Sequence, residues 1–131
     1  MLHFWERIPL LQRIAGIKRF QQYVAKPIPK HIKNIYGGFR GGLYKGYILT
    51  YFEFAPPFEQ SYFLKGWKQS DTKILGSGIN ILVKAIYKKD FAATNIYTQV
   101  VHPARTSSRW LLIDENNNCG TLYDAVYFGW L

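Results

Sequence analysis

The sequence contains one cysteine, Cys119, and this scarcity excludes several kinds of structure. A disulfide within the chain and a cysteine-ligated metal cluster both require more than one cysteine, and a reducing compartment fits this usage. Long apolar runs are also missing, since no stretch reaches the roughly 18 residues that a membrane-spanning helix needs. The most apolar segment, residues 47–58, is interrupted by Glu53 and two prolines. We therefore expect neither a disulfide framework nor a spanning helix.

Acidic residues are almost missing from the first 50 positions, where Glu6 stands against nine basic side chains. From residue 51 onward, eight basic side chains face seven acids, so the net charge of +9 belongs almost entirely to the N-terminal part. Such asymmetry is typical of a surface that binds phosphate groups, in nucleic acid or anionic lipid. The sequence thus predicts a basic N-terminal arm, residues 1–50, and a small sheet-containing region, residues 51–131.

No set of catalytic or metal-ligating residues stands out. His3, His31 and His102 lie in separate segments, and none has the partner four residues away that a metal site on a helix shows. Cys119 lies in a polar turn and is expected to be inert. Asp114-Glu115 is interpreted as a solvated corner rather than a catalytic pair of carboxylates. We predict a protein that is not an enzyme and that has no metal or cofactor.

Aromatic residues are abundant, with ten tyrosines, nine phenylalanines and four tryptophans. A core of this size does not need so many, and aromatic side chains are favoured where proteins contact partners. The two aromatic runs near the C-terminus are the best candidates for such a contact. The predicted partner interface consists of Trp110, Tyr123, Tyr127, Phe128 and Trp130.

The segment "PLLQRIAGIKRFQQYVAKP" predicts an amphipathic helix. Pro9 suits the first helical position, and Pro27 ends the run. The apolar stripe leaves two interpretations open: the helix packs on its own domain, or it lies on a membrane surface or a partner. In the second interpretation the membrane-facing residues are Trp5, Leu10, Arg13, Ile14, Ile17, Lys18 and Arg19.

The glycine-rich segment "YGGFRGGLYKGY" also leaves alternatives open. Gly38, Gly42 and Gly46 recur every four residues, which would give a helix a smooth face for close packing. Each glycine weakens a helix by about 1 kcal/mol, so an irregular loop with close backbone approach is favoured instead. The segment lacks the Gly-Lys-Ser/Thr sequence of a phosphate-binding loop.

The second half of the chain predicts mainly strands. "INILVKAIY" has the pattern of a buried strand, and "TNIYTQVV" alternates as a strand does. "RWLLID" and "TLYDAVYF" predict a hairpin around "ENNNCG", a loop of polar, turn-forming residues in which Gly120 is able to take a positive φ. The expected fold class is α+β, with one or more N-terminal amphipathic helices followed by a small antiparallel sheet that ends in a hairpin.

Basic and aromatic residues alternate in the arm, and this pattern also suits nucleic acid. Stacking on aromatic rings combined with phosphate contacts is a known mode of binding single strands. The pattern matches no named RNA-binding signature. A ribosomal protein whose arm lies in rRNA is therefore the alternative to a helix on anionic lipid.

Short motifs follow one another along the chain: Gly41-Gly42-Leu43, Gly46-Tyr47, Asp90 with Asn95 and Tyr97, Arg109-Trp110, and Gly129-Trp130-Leu131. In this order they resemble a small accessory subunit of mitochondrial respiratory complex I, of the mimitin-type, seventeen-kilodalton class. The chain differs from that family in having Thr94 where the family has glycine, and "VYF" where the family has "PPEWH".

The resemblance implies a brace without chemistry of its own. Its N-terminal helix would lie on the matrix face of the mitochondrial inner membrane, as a peripheral contact with anionic phospholipid. Its sheet and C-terminal aromatic residues would pack on other subunits of the complex, where tryptophan and tyrosine act as anchors. A mitochondrial ribosomal protein that binds rRNA remains the alternative.

Overall fold

The computed structural model describes residues 9–41, 45–56, 66–70, 73–99 and 106–127. These residues form two helices and six strands. In chain order they are α1 (Pro9–Tyr23), β1 (Ile32–Gly41), β2 (Lys45–Phe54), β3 (Trp67–Ser70), α2 (Lys73–Tyr87), β4 (Asn95–Gln99), β5 (Thr106–Asp114) and β6 (Cys119–Tyr127).

All six strands belong to one antiparallel sheet with the order β1-β2-β6-β5-β4-β3. The predicted α+β class is confirmed, as is the hairpin formed by β5 and β6. The sheet separates two core clusters, one packed beneath α1 and the other beneath α2. The helices therefore lie on opposite faces of the sheet, because alternate residues of a strand point to opposite faces.

The α1-side core explains why the first amphipathic segment is a helix. Phe20 lies on its inner face and Val24 follows directly after its last residue, and both side chains are almost fully buried. The ring of Phe20 meets that of Phe52 of β2 edge to face, with 5.0 Å between centroids. Leu111 and Leu122, from β5 and β6, complete this layer. Each such side chain stabilises the fold by about 1.5–3 kcal/mol through burial.

The α2-side core contains the segment "INILVKAIY", for which the strand prediction was wrong. The segment lies in α2, where Ile79 and Val83 are buried against the sheet and Leu82 and Ile86 are partly buried. Apolar residues at positions 79, 82, 83 and 86 follow the spacing of one helical face. A short apolar run is ambiguous from its pattern alone, and here the helix has 15 residues, longer than most buried strands.

The described residues of the glycine-rich segment, 36–41 and 45–47, belong to β1 and β2 and not to a loop or a helix. The expectation of a close backbone approach is fulfilled at Gly37, which meets Gly16 of α1. A Cβ atom added at Gly16 would lie 2.7 Å from the backbone nitrogen of Gly37 and 2.7 Å from the backbone carbon of Tyr36. Two glycines thus let the helix lie directly against a strand.

The boundary placed at residue 50 falls inside β2, and this strand pairs with β6 from Lys45 to Glu53. The basic arm and the sheet-containing region therefore share one sheet. In the turn between β5 and β6, the positive φ and the glycine fall at different positions. Asn118 takes the positive φ, at 52°, whereas a Cβ atom at Gly120 would lie 2.5 Å from the ring of Phe52. Position 120 therefore requires glycine, because any side chain there would clash with the ring of Phe52.

We predict that Gly16→Ala destabilises the protein although alanine favours helices. The added methyl group meets backbone atoms that cannot rotate away, and overpacking of this kind costs about 1–3 kcal/mol. Gly78→Ala in α2 is the matched control, because a Cβ atom there meets nothing within 4 Å. The control should gain up to about 1 kcal/mol. Urea unfolding followed by circular dichroism measures both changes, and equal midpoints for the two variants would contradict the packing argument.

Candidate interaction surfaces

The predicted membrane face of α1 is divided between the core and the surface. Ile17 packs against the α1-side core, and the Arg19 guanidinium is bound to the carboxylate of Asp124. For this part of the stripe, the helix packs on its own domain, which was the first of the two interpretations. These two side chains are engaged within the chain.

Three of the predicted residues remain exposed on α1, namely Arg13, Ile14 and Lys18. Ile14 exposes 52% of its surface, which is high for a large apolar side chain. A helix that lies on lipid headgroups combines such cations with large apolar side chains, and Ile14 is the exposed one among the described side chains of α1. Trp5 and the side chain of Leu10 lie outside the described part of the chain.

A buried carboxylate on the α1 side binds two guanidinium groups. Asp124 of β6 is 1% exposed, and its Oδ1 accepts a hydrogen bond of 2.6 Å from Nε of Arg109, while Arg19 binds its Oδ2. Both guanidinium groups lie over the ring of Tyr23, with Cζ at 3.6 Å for Arg109 and 5.0 Å for Arg19. Arg109 also donates to Gln99 at 2.9 Å. The network ties α1 to strands β4, β5 and β6.

Sequence reasoning did not find this network, although part of its signal was present. Asp124 lies two residues after the buried Leu122, so strand alternation places both side chains on the α1 side. A carboxylate buried there requires a cation or several donors. One cation comes from Arg19, which is 105 residues away in the sequence, and no local pattern specifies such a pair.

An aromatic row crosses the α2 side of the sheet. It consists of Tyr47 of β2, Tyr123 of β6 and Trp110 of β5, all half-buried. The ring centroids are 5.9 Å apart between Tyr47 and Tyr123, and 6.0 Å apart between Tyr123 and Trp110. Thr98 of β4 pairs with Trp110, and Lys68 of β3 pairs with Thr98, so the line of neighbours continues to the edge strand.

The structure therefore brings together two of the residues predicted to contact partners, Trp110 and Tyr123. Tyr127 is the last residue of β6, and its side chain lies outside the description. Phe128 and Trp130 also lie outside the described residues. Tyr47 was not among the predicted partner residues. Its place in an alternating run was visible in the sequence, but its position beside Tyr123 depends on the pairing of β2 with β6.

Glu53 and its neighbours form a polar cluster on the α2 side. The hydroxyl of Tyr51 donates to Glu53 at 2.7 Å, and the amide of Asn34 donates at 2.6 Å. Burial raises the pKa of Glu53, but these hydrogen bonds and the charge of Lys89 outweigh it, so the pKa is lowered. The glutamate is held as a carboxylate by donors that fix its position.

Cys119 is buried beside this cluster, and burial raises the pKa of its thiol to about 12. The thiolate is the nucleophilic form, so at neutral pH this thiol is not activated. Within the described ranges, no group of three His, Cys, Asp or Glu side chains is arranged to hold a metal ion. Neither described helix is long and apolar enough to cross a bilayer.

Comparison of the chain with protein-family models, with curated proteins and with solved structures finds no match.

We predict that Asp124→Ala lowers the free energy of unfolding by about 3–5 kcal/mol, because it leaves two largely buried guanidinium groups without their carboxylate. Asp90→Ala removes an ion pair with Lys84 in which Asp90 is 82% exposed. That control should leave the stability nearly unchanged, since exposed pairs contribute little. Chemical denaturation of both variants decides the point, and a small effect of Asp124→Ala would show that the network is not needed for stability.

We also predict that the Cys119 thiol does not react with a disulfide reagent in the folded protein at pH 8. Burial blocks access and the raised pKa keeps the thiol protonated. Unfolding in urea should restore the reactivity of an ordinary cysteine. Because the chain has one cysteine, absorbance of the released thiolate reports on this site alone. Rapid labelling without urea would contradict the buried position.

Proposed function

We propose that the protein is a non-catalytic accessory subunit of a respiratory complex of the mitochondrial inner membrane, and specifically of complex I. In this role it lies peripherally on the matrix side and braces other subunits. The proposal draws on the resemblance of its short motifs, including Arg109-Trp110, to the mimitin-type subunits. It also draws on the distribution of exposed side chains over the two sides of the sheet.

The observation that carries the proposal is that two different surfaces lie on opposite sides of one sheet. Arg13, Ile14 and Lys18 are exposed on α1. The aromatic row lies on the α2 side, with Trp110 and Tyr123 half-buried within it. Because the sheet lies between them, a headgroup layer and a protein can be contacted at the same time.

The membrane contact proposed for α1 is weak when taken alone. A well-placed lysine or arginine contributes about 1 kcal/mol at an anionic surface, and the apolar area of Ile14 adds about 25 cal/mol for each Å² that leaves water. Such a contact is reversible. Simultaneous attachment to a partner raises the effective concentration of the second site and makes the combined binding firm.

The protein contact proposed for the aromatic row relies on a different effect. Tryptophan and tyrosine bury large areas at a low cost in side-chain entropy, and they are the residues that most often dominate binding energy at interfaces. The rings of Trp110 and Tyr123 already pack against each other, with 6.0 Å between their centroids, so these side chains lose little conformational freedom on binding.

The alternative is a mitochondrial ribosomal protein whose basic arm binds rRNA. Its support is that Lys26, Lys30 and Lys33, which follow α1, are exposed. These lysines extend the cationic surface beyond the helix, and phosphate groups of RNA and of lipid attract such a surface equally.

Flotation with vesicles tests the membrane side. The wild-type protein should float with vesicles that contain anionic phospholipid and not with zwitterionic ones. Reversing two charges in Arg13→Glu with Lys18→Glu should reduce flotation at least roughly tenfold, since each cation contributes about 1 kcal/mol. The matched control, Lys68→Glu with Lys88→Glu, changes the same charge at exposed residues away from α1 and should float normally.

Native-gel fractionation of detergent-solubilised membranes tests the assignment to a complex. Co-migration with complex I is the expected result. Recovery only in ribosomal particles that RNase disperses would replace the proposal with the alternative.

In the flotation experiment, an equal loss in the two double variants would show that α1 is not the membrane face.

A further inference from the structure

Helix α2 has apolar side chains on both its inner and its outer side, and the outer side also carries the exposed Lys84. Ile79 and Val83 are buried against the sheet. On the opposite side, Ile81 exposes 71% of its surface and Ala85 is also exposed. A surface helix normally carries polar residues outward, and the exposed Ile81 departs from this pattern. The outer side of α2 therefore has the composition of a contact surface.

A groove of about 570 Å³ runs beside this outer side. Its apolar lining comes from Ile81, Ala85, Phe91 and Ala92, and Asn80 and Asn117 also line it. Phe91 belongs to the α2-side core, so the lining of the groove is continuous with the core. The volume lies in the range of sites that receive a large side chain or a small ligand.

Hydrogen bonds fix the wall of the groove opposite α2. The backbone nitrogen of Ala93 donates to the side-chain oxygen of Asn80 at 3.2 Å, which joins the wall to the helix. The backbone nitrogen of Ala92 donates to the buried carboxylate of Asp114 at 2.8 Å. That carboxylate also accepts from Asn117 at 2.7 Å. The groove is thus formed before anything binds, and little conformational entropy is lost on binding.

Three lysines lie at or near the groove, and two of them are in ion pairs with acidic residues. Lys84 is 62% exposed and binds Asp90 at 2.7 Å. Lys88 is exposed just after the helix, and Lys89 is half exposed and lies 3.9 Å from Glu53. Three lysines thus lie near the C-terminal end of α2, where Asp90 is the acidic residue of the groove.

Shape and charge together select the occupant. A second copy of this chain would bring another net charge of +9 to a basic rim, and like charges oppose such a contact. A bilayer is a flat surface and does not fill a groove, and the exposed cations of α1 lie on the other side of the sheet. An acidic protein segment meets both conditions, because an apolar side chain can enter the groove while carboxylates face the lysines.

We propose that the groove between α2 and residues 91–93 binds an acidic segment of a partner protein, with a large apolar side chain of that segment seated against Ile81 and Phe91. This rests on the proposed function, since it names the chemistry of the neighbouring subunit on the α2 side. The lysines Lys84, Lys88 and Lys89 attract the segment and set its orientation.

Photo-crosslinking in the native host cell tests the proposal on the full chain. A photoreactive amino acid replaces Ile81 in one variant and Ile14 in another, which pairs two exposed isoleucines from opposite sides of the sheet. Position 81 should give an adduct with one protein, and mass spectrometry should show a partner peptide of net negative charge attached through or beside an apolar residue. Position 14 should not give that adduct.

A second set of variants links the adduct to the groove. With the photoreactive residue at Ala85, Ile81→Asp and Lys88→Glu should each reduce the adduct at least roughly tenfold, as loss of an interface anchor does. Lys30→Glu changes the same charge at an exposed residue between α1 and β1 and should leave the yield unchanged. Circular dichroism confirms that each variant is folded, because these side chains are exposed in the free protein.

Each other outcome has a definite meaning. An adduct with a second copy, with lipid or with a basic peptide overturns the inference, as does a yield at position 81 no higher than at position 14. An acidic peptide from a protein outside the respiratory complexes supports the groove and overturns the proposed function. A complex I subunit attached through a basic peptide overturns the groove alone.

Discussion

The pairing of β2 with β6 is the constraint on which the rest of the structure depends. Strand β1 lies next to β2 on one side of this pair, and β5, β4 and β3 follow β6 on the other side. Strand β6 is the connection between these two groups, and it contributes to both cores through Leu122 on the α1 side and Cys119 on the α2 side. Neither helix has a complete sheet to cover until the last strand is in place.

This constraint explains what the sequence predicted well and what it did not. The β5–β6 hairpin was predictable because its strands are adjacent in the chain and its polar turn is local. The first helix was predictable from its apolar spacing and flanking prolines. The glycine-rich segment was not, because its state depends on partners far away: Gly37 lies in a strand against Gly16, and Gly46 pairs with Val126.

The residues of the candidate surfaces also differ in how far the sequence predicts them. Trp110 and Tyr123 were selected as partner residues by composition and position, and the β5–β6 register places them opposite each other. Asp124 was passed over, because a single aspartate in a strand does not reveal that Arg19 and Arg109 will meet it. Ile81 was passed over for another reason: interpreted as part of a buried strand, it had no exposed side, and the exposure emerges only when the segment is a helix.

The two edges of the sheet have a consequence for colloidal behaviour. An aromatic-rich chain with alternating strands presents unpaired backbone groups at its first and last strands, and such edges can template fibrils. Here the edge strand β3 has four residues, and the edge strand β1 carries an irregularity between Lys33 and Tyr36. A short edge strand and an irregular one offer a poorer template for intermolecular strand pairing than two long regular edges would.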